Sequence, residues 1–110
     1  MKIFDIKSTM PSVNEALHDL ENIIRLMKSK EKVIKIIHGY GSSGKGGLIK
    51  SSVHSFLRQK KESHQIKAYI PGEALWDLKG FDQIIQTYKH LLQNDEDYKK
   101  GNDGITYIIF

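Results

Sequence analysis

Hydrophobic residues follow two different spacings along the chain, and this pattern divides the sequence into strands and helices. Residues 2–6 form a short, weakly alternating segment that is typical of a first strand. Residues 32–38 (KVIKIIH) are β-branched and almost continuously apolar, as in a strand that is buried on both faces. Residues 65–70 and 104–110 predict a third and a fourth strand, and the apolar end of the fourth indicates an interior position.

Three segments between these strands have the spacing of amphipathic helices. The first begins at Ser12, which forms a capping box with Glu15 because each side chain can accept the free backbone N–H of the other. The apolar face of this helix comprises Val13, Ala16, Leu17, Leu20, Ile23, Ile24 and Met27. The second helix follows a glycine-rich loop, and its inner face comprises Ile49, Val53, Phe56 and Leu57. The third lies between the last two strands, with Phe81, Ile84, Ile85, Tyr88, Leu91 and Leu92 at helical spacing.

The resulting order of elements is β-α-β-α-β-(α)-β, which defines an α/β fold. Each β-α-β unit favours parallel strands joined by a right-handed crossover. We therefore predict a two-layer sandwich with a four-stranded mixed sheet, in which the last strand runs antiparallel to its neighbour. The 110 residues suit one domain, residues 1–110, with a helical insert at about residues 71–100 whose packing the sequence leaves open.

The composition narrows the class of protein. The chain has no cysteine, so disulfides and thiolate metal sites are excluded, and its histidines show no metal-ligand spacing. We predict no metal site and no cofactor; a divalent metal remains open only for a nuclease activity. No apolar run approaches the roughly 20 residues of a membrane span, and the N-terminus lacks the apolar segment of a secretory signal. These features predict a cytoplasmic protein that does not act on membranes.

The net charge of +4 is unevenly distributed. Residues 1–70 carry thirteen Lys and Arg against six Asp and Glu, whereas residues 71–110 carry four against seven. A basic region suits a polyanion, because Lys and Arg beside phosphates release condensed counterions. Ordinary solvated lysines explain the same numbers, so charge alone favours nucleic acid only weakly.

The glycine-rich loop carries the clearest chemical signal. Residues 39–46 (GYGSSGKG) are close to the P-loop pattern G-x-x-x-x-G-K-[ST]. A strand precedes the loop and a helix follows it, so free backbone amides and a glycine nest can hold an anion. Gly46 stands where the pattern has Ser or Thr, so the hydroxyl that binds Mg²⁺ is missing and we do not expect a nucleotide triphosphatase. The loop predicts a site for another phosphate, unless it only allows the helix to approach the sheet.

The segments around this loop resemble the Smr (small MutS-related) domain family. HGYG at residues 38–41 matches the H-G-x-G motif that ends a strand and opens a glycine-rich loop in that family. SVNEAL at residues 12–17 is similar to the start of the family's first helix, and residues 101–110 are similar to its closing turn and strand. The resemblance covers residues 3–70 and 101–110. It implies an Smr-like fold with DNA or RNA as the partner.

The leading hypothesis is therefore a nucleic-acid-binding domain that holds backbone phosphates through the loop and the start of the second helix. The predicted phosphate-binding residues are Lys7, His38, Gly39, Tyr40, Gly41, Ser42, Ser43, Gly44, Lys45, Gly46, Gly47 and Lys50. Tyr40 is the candidate for stacking on a base. Trp76 is expected to pack the insert onto the body, and His54 is expected on the surface of the second helix.

Two departures from the family leave alternatives open. The family usually begins with L-D-L-H-G, whereas residues 4–8 read FDIKS: Asp5 is kept, and Lys7 replaces the histidine of an Asp-x-His pair that the family associates with endonuclease activity. A lysine ammonium keeps its proton at neutral pH, so whether the chain is an enzyme is uncertain. The enzymatic alternative is a nicking endonuclease of DNA or RNA that acts through Asp5 and His38. The insert at residues 71–100 suggests a second alternative, a protein-interaction module.

Overall fold

The computed structural model describes residues 1–8, 11–40, 44–75 and 80–110, and only the backbone of residues 44–47. The strands within these residues are β1 (Lys2–Asp5), β2 (Val33–Ile37), β3 (Ala68–Pro71) and β4 (Ile105–Ile109). The helices are α1 (Val13–Met27), α2 (Gly44–Glu62) and α3 (Asp82–Leu92), and a short 3₁₀ turn, Gly72–Leu75, follows β3. Among the described helices, none has the length and apolar character needed to cross a membrane.

The strands form one mixed sheet with the order β1-β2-β4-β3. β1 runs parallel to β2, and β4 lies between β2 and β3, antiparallel to both. The prediction of a four-stranded mixed sheet with an antiparallel, interior last strand is confirmed. Because β1, β2 and β3 share one direction, their carboxyl ends meet at one edge of the sheet, where ligands of open α/β sheets bind. We call this the carboxyl edge.

α1 and α2 pack on one face of the sheet and form the expected two-layer core with it. The capping box of α1 is present: Glu15 N–H donates to Ser12 Oγ at 3.2 Å, and Ser12 N–H donates to the Glu15 carboxylate at 3.1 Å. The apolar cluster of this face includes Ala16, Leu20 and Ile24 of α1, Ile49, Val53 and Leu57 of α2, and Ile34, Ile36 and Ile108 of the sheet. The helical spacing therefore identified the buried faces of both helices.

The insert helix α3 packs on the opposite face of the sheet, which answers the question that the sequence left open. Its Ile85 and Leu92 join Ile70 and Tyr107 of the sheet in a second apolar cluster. The part of this face that belongs to β1 is less covered, because the side chain of Ile3 is 51% exposed. The insert thus adds a partial third layer and leaves one side of that face open.

A buried ion-pair cluster ties the loop after α3 to the sheet. Lys35 lies in the middle of β2, is 1% exposed, and donates to Asp95 at 2.9 Å and to Asp97 at 2.7 Å. Tyr107 Oη donates to the same Asp95 carboxylate at 2.6 Å. Burial lowers the pKa of Lys35, but the hydrogen bonds and charges of the two carboxylates outweigh burial and raise that pKa. The carboxylates of the loop after α3, which we call the insert loop, therefore neutralise the charge of Lys35, which is buried in β2.

Candidate functional site

The predicted site residues gather at the carboxyl edge. Asp5 and Lys7 lie at the end of β1, residues 38–40 follow β2, and α2 begins at Gly44. The turn before β4 reaches the same edge, and the carbonyl of Gly104 accepts the amides of His38 and Gly39 at 3.0 and 3.1 Å. The turn before β4 therefore fixes the path of the chain as it leaves β2.

Lys7 lies directly against the first glycine of the loop. Gly39 has a φ of +85°, which favours glycine because other residues rarely adopt it. A Cβ built on Gly39 would lie 2.9 Å from Lys7 Cδ, so the aliphatic part of the lysine crosses over this position. Lys7 is exposed, and its ammonium is therefore carried beside the loop.

Asp5 shapes the turn that presents Lys7. Its Oδ1 accepts the amides of Lys7 and Ser8, both at 2.9 Å, in a side-chain turn of the Asx type. In the described part of the chain, no group of three or more His, Asp or Glu side chains is arranged to hold a metal ion. The two hydrogen bonds of Asp5 stabilise the turn at residues 5–8 that follows β1.

His38 is 1% exposed, and both of its ring nitrogens are engaged. Nδ1 lies 2.9 Å from the Gly39 carbonyl, and Nε2 lies 2.8 Å from Thr106 Oγ1. A carbonyl only accepts, so Nδ1 carries the proton and Nε2 accepts from the threonine hydroxyl. Thr106 Oγ1 in turn accepts from Nε2 of His54 at 3.0 Å. This directed chain from His54 through Thr106 to His38, which we call the histidine relay, holds the carbonyl of Gly39.

Burial favours the neutral form of both histidines. It lowers the pKa of His38, against the effect of the hydrogen bond to Gly39. It also lowers the pKa of His54 to about 4, and the neighbouring His38 acts in the same direction. A neutral His38 with two engaged nitrogens suits the shaping of the loop, and a catalytic role would require the histidine relay to open.

The expectation of a surface position for His54 is wrong. The residue is half-buried, its ring lies edge-on to His38 with 5.6 Å between centroids, and Tyr69 lies 6.0 Å away on another side. Its partner Thr106 is 52 residues away in the sequence, so helical spacing could not reveal the pair. The available signal was the single polar residue, Thr106, within the apolar last strand.

We expect the stability of the fold to decrease as the pH falls from about 6.5 to about 4. Within this window the unfolded chain protonates His54 (ordinary pKa 6.5) whereas the folded chain keeps it neutral, so protons favour unfolding. Denaturant unfolding at pH 7 and pH 5 measures the effect in wild type and in His54→Gln, which keeps a donor for Thr106. The variant should lose less stability, by up to about 1 kcal/mol per pH unit after allowance for partial exposure.

The exposed His18 on α1 supplies the control for this experiment, because His18→Gln also removes one histidine. It should follow wild type at both pH values. Equal pH dependence of wild type and His54→Gln would show that His54 is not held neutral by the fold.

Tyr40 lies three residues after the end of β2, and most of its surface is exposed to solvent. Its side chain is 60% exposed. A Cβ built on Gly104 would lie 3.3 and 3.5 Å from two atoms of the Tyr40 ring, so the ring rests close to the backbone of that glycine. One edge of the tyrosine ring therefore lies near the backbone of Gly104, and most of the residue is exposed.

The other predicted phosphate-binding residues are described less fully. Lys50 donates to Glu73 at 2.5 Å, so a carboxylate from the turn after β3 already neutralises it. Gly41, Ser42, Ser43 and also Trp76 lie outside the described residues, and Gly44, Lys45, Gly46 and Gly47 are described only as the backbone of the first turn of α2. The contribution of the Lys45 side chain therefore remains a prediction from the sequence.

The family model of the Smr domain matches residues 9–81. This match covers well over half of the chain, and the chain belongs to the Smr domain family. Membership relates the chain to nucleic acids in general. No curated protein and no solved structure matches it. The match begins after Lys7 and ends before α3, so the substitution in the first motif and the insert helix lie outside it.

Proposed function

We propose that this Smr domain binds a polynucleotide through its phosphate backbone at the carboxyl edge. The observation that carries the proposal is the position of Lys7 across Gly39, because it brings an exposed lysine beside the first glycine of the loop that leads into α2. The free amides and the positive dipole end of a helix start favour an anion at the same place. Contacts to phosphate position a ligand without reading its sequence, so binding is weakly sequence-selective and strongly salt-dependent.

Three features favour binding over cleavage. The Asp5 carboxylate already accepts two backbone amides of its own turn. His38 is buried with both nitrogens engaged. Lys7 occupies the position at which the family resemblance places a histidine, and an ammonium group suits the neutralisation of a phosphate better than general acid–base catalysis. The endonuclease alternative therefore has less support than binding.

The insert supports a protein-interaction function less well than the loop supports phosphate binding. The apolar face of α3 packs on the sheet through Ile85 and Leu92. Asp95 and Asp97 of the following loop are engaged with Lys35. These groups complete the fold, so they are not offered to a partner.

Fluorescence anisotropy with labelled short single strands and duplexes, at several salt concentrations, tests the proposal. We expect Lys7→Gln to weaken binding of all sequences similarly and to reduce the slope of log K against log salt by about 0.7 for single strands and about 0.9 for duplexes. Lys30→Gln is the matched control, because Lys30 is exposed and lies before β2 at the opposite edge of the sheet. Absence of binding at low salt, or equal slopes for both variants, would overturn the proposal.

A further inference from the structure

A cleft of about 220 Å³ lies beside the start of the glycine loop, and Lys7 and Gly39 are among its lining residues. Its apolar floor is the open part of the sheet on the α3 side, where Ile3, Ile37 and Ile105 share one face. Tyr40 lines one side, and Glu96 of the loop after α3 also lines the cleft. The volume is below the roughly 300–1,000 Å³ of pockets for drug-sized ligands, so it suits a single ring system.

Tyr40 gives this cleft an aromatic wall. The residue is 60% exposed, while the edge of its ring rests near the backbone of Gly104. The wall and the isoleucine floor together present apolar surface to a flat ligand. Every nucleobase has a flat π-face, and stacking of one base on an aromatic side chain contributes about a 5- to 150-fold gain in affinity.

The charges around the cleft match one nucleotide. Lys7 lines it, with an exposed ammonium beside the loop that suits the phosphate of the same nucleotide. Glu96 is exposed, and a carboxylate accepts hydrogen bonds from the exocyclic amino group of a base. Three further polar residues line the cleft and are paired with one another, because Asp97 accepts from Lys35 at 2.7 Å and from Asn102 at 3.0 Å.

We propose that this cleft holds one unpaired base of the bound polynucleotide, stacked on Tyr40, with its phosphate against Lys7. The proposal rests on the proposed function and specifies its ligand: a single-stranded or locally unpaired segment. A duplex keeps its bases stacked and paired, so it fills the cleft only if a base leaves the helix. Adenine, cytosine and guanine carry an amino group for Glu96, whereas uracil and thymine do not.

The test compares three labelled strands of equal length and equal phosphate number: oligo(dA), oligo(dT) and an abasic strand. Wild type should bind oligo(dA) at least about fivefold more tightly than the abasic strand. Tyr40→Ala should weaken binding of oligo(dA) by about 5- to 150-fold and leave the abasic strand nearly unchanged. Tyr40→Phe keeps the ring and should keep the preference for oligo(dA) over the abasic strand. Leu26→Ala removes a side chain of similar exposure, 58%, from the end of α1 and should also bind like wild type.

Glu96→Gln distinguishes recognition of the base by the carboxylate from the repulsion between this carboxylate and the phosphates. Loss of one negative charge should raise the affinity for all three strands, while the preference for oligo(dA) over oligo(dT) decreases.

The two proposals fail in different ways. If wild type binds no strand at low salt, both are overturned. If the abasic strand binds as tightly as oligo(dA), or if Tyr40→Ala weakens both equally, the base cleft is overturned and backbone binding stands.

Discussion

Lys35→Met is expected to lower the free energy of unfolding by about 3–5 kcal/mol. Methionine has a similar length and keeps the packing in the middle of β2. It leaves the carboxylates of Asp95 and Asp97, 11% and 17% exposed, without their cation. Urea unfolding at neutral pH measures the loss. Lys32→Met, at an exposed position just before the same strand, should change stability by no more than about 0.5 kcal/mol.

A combined variant shows whether the loss of stability comes from the two unpaired carboxylates or from the loss of the lysine side chain itself. Lys35→Met together with Asp95→Asn and Asp97→Asn removes the whole ionic cluster, and neutral replacement of a buried ion pair often costs little. We expect this variant to be more stable than Lys35→Met alone. If Lys35→Met is as stable as wild type, the cluster does not hold the insert loop on the sheet.

Thr106→Val is expected to lower the free energy of unfolding by about 2–4 kcal/mol. Valine keeps the shape of threonine, but His38 Nε2 loses its donor and His54 Nε2 loses its acceptor. Each buried polar group left without a partner costs about 1–3 kcal/mol. Because His38 holds the carbonyl of Gly39, the variant should also bind polynucleotides more weakly.

Thr106→Ser is the matched control, since it keeps the hydroxyl and loses one methyl group. It should remain within about 1.5 kcal/mol of wild type. Denaturant unfolding of both variants at pH 7 gives the comparison. Equal stability of the valine and serine variants would mean that the histidine relay does not support the fold.

Much of the fold was predictable because it depends on local sequence. Ser12 and Glu15 are three residues apart, so the capping box of α1 can be read directly, and it is present. The continuous apolar character of residues 32–38 also indicated a strand covered on both faces. α3 covers part of the second face of the sheet, although local spacing could not show on which face this helix packs.

The long-range polar contacts could not be read from the sequence. Lys35 meets Asp95 and Asp97 across 60 and 62 residues. His38 meets Thr106 across 68 residues. The contact between His38 and Thr106 depends on the register of β4, which brings Thr106 beside Ile36. The contacts of Lys35 depend on the loop after α3, which carries Asp95 and Asp97. An isolated polar residue in an apolar strand indicates that it has a polar partner, but the sequence does not show which residue that partner is.

The position of the candidate site was partly predictable from the direction of the strands. Neighbouring parallel strands end at one edge, so Lys7 was expected near the glycine loop, and it lies against Gly39. The bonding of Asp5 to its own turn and the burial of His38 depend on atomic detail that residue types do not contain.

Phosphates are expected to bind at the carboxyl edge, between Lys7 and the start of α2. Backbone amide NMR shifts during titration with a short abasic strand locate the bound phosphates directly. We expect the largest shifts at Lys7, at Gly39 and at residues 44–47, with little change at residues 28–32 on the opposite edge. Shifts concentrated at residues 28–32, or none at residues 38–47, would contradict this placement of the phosphates.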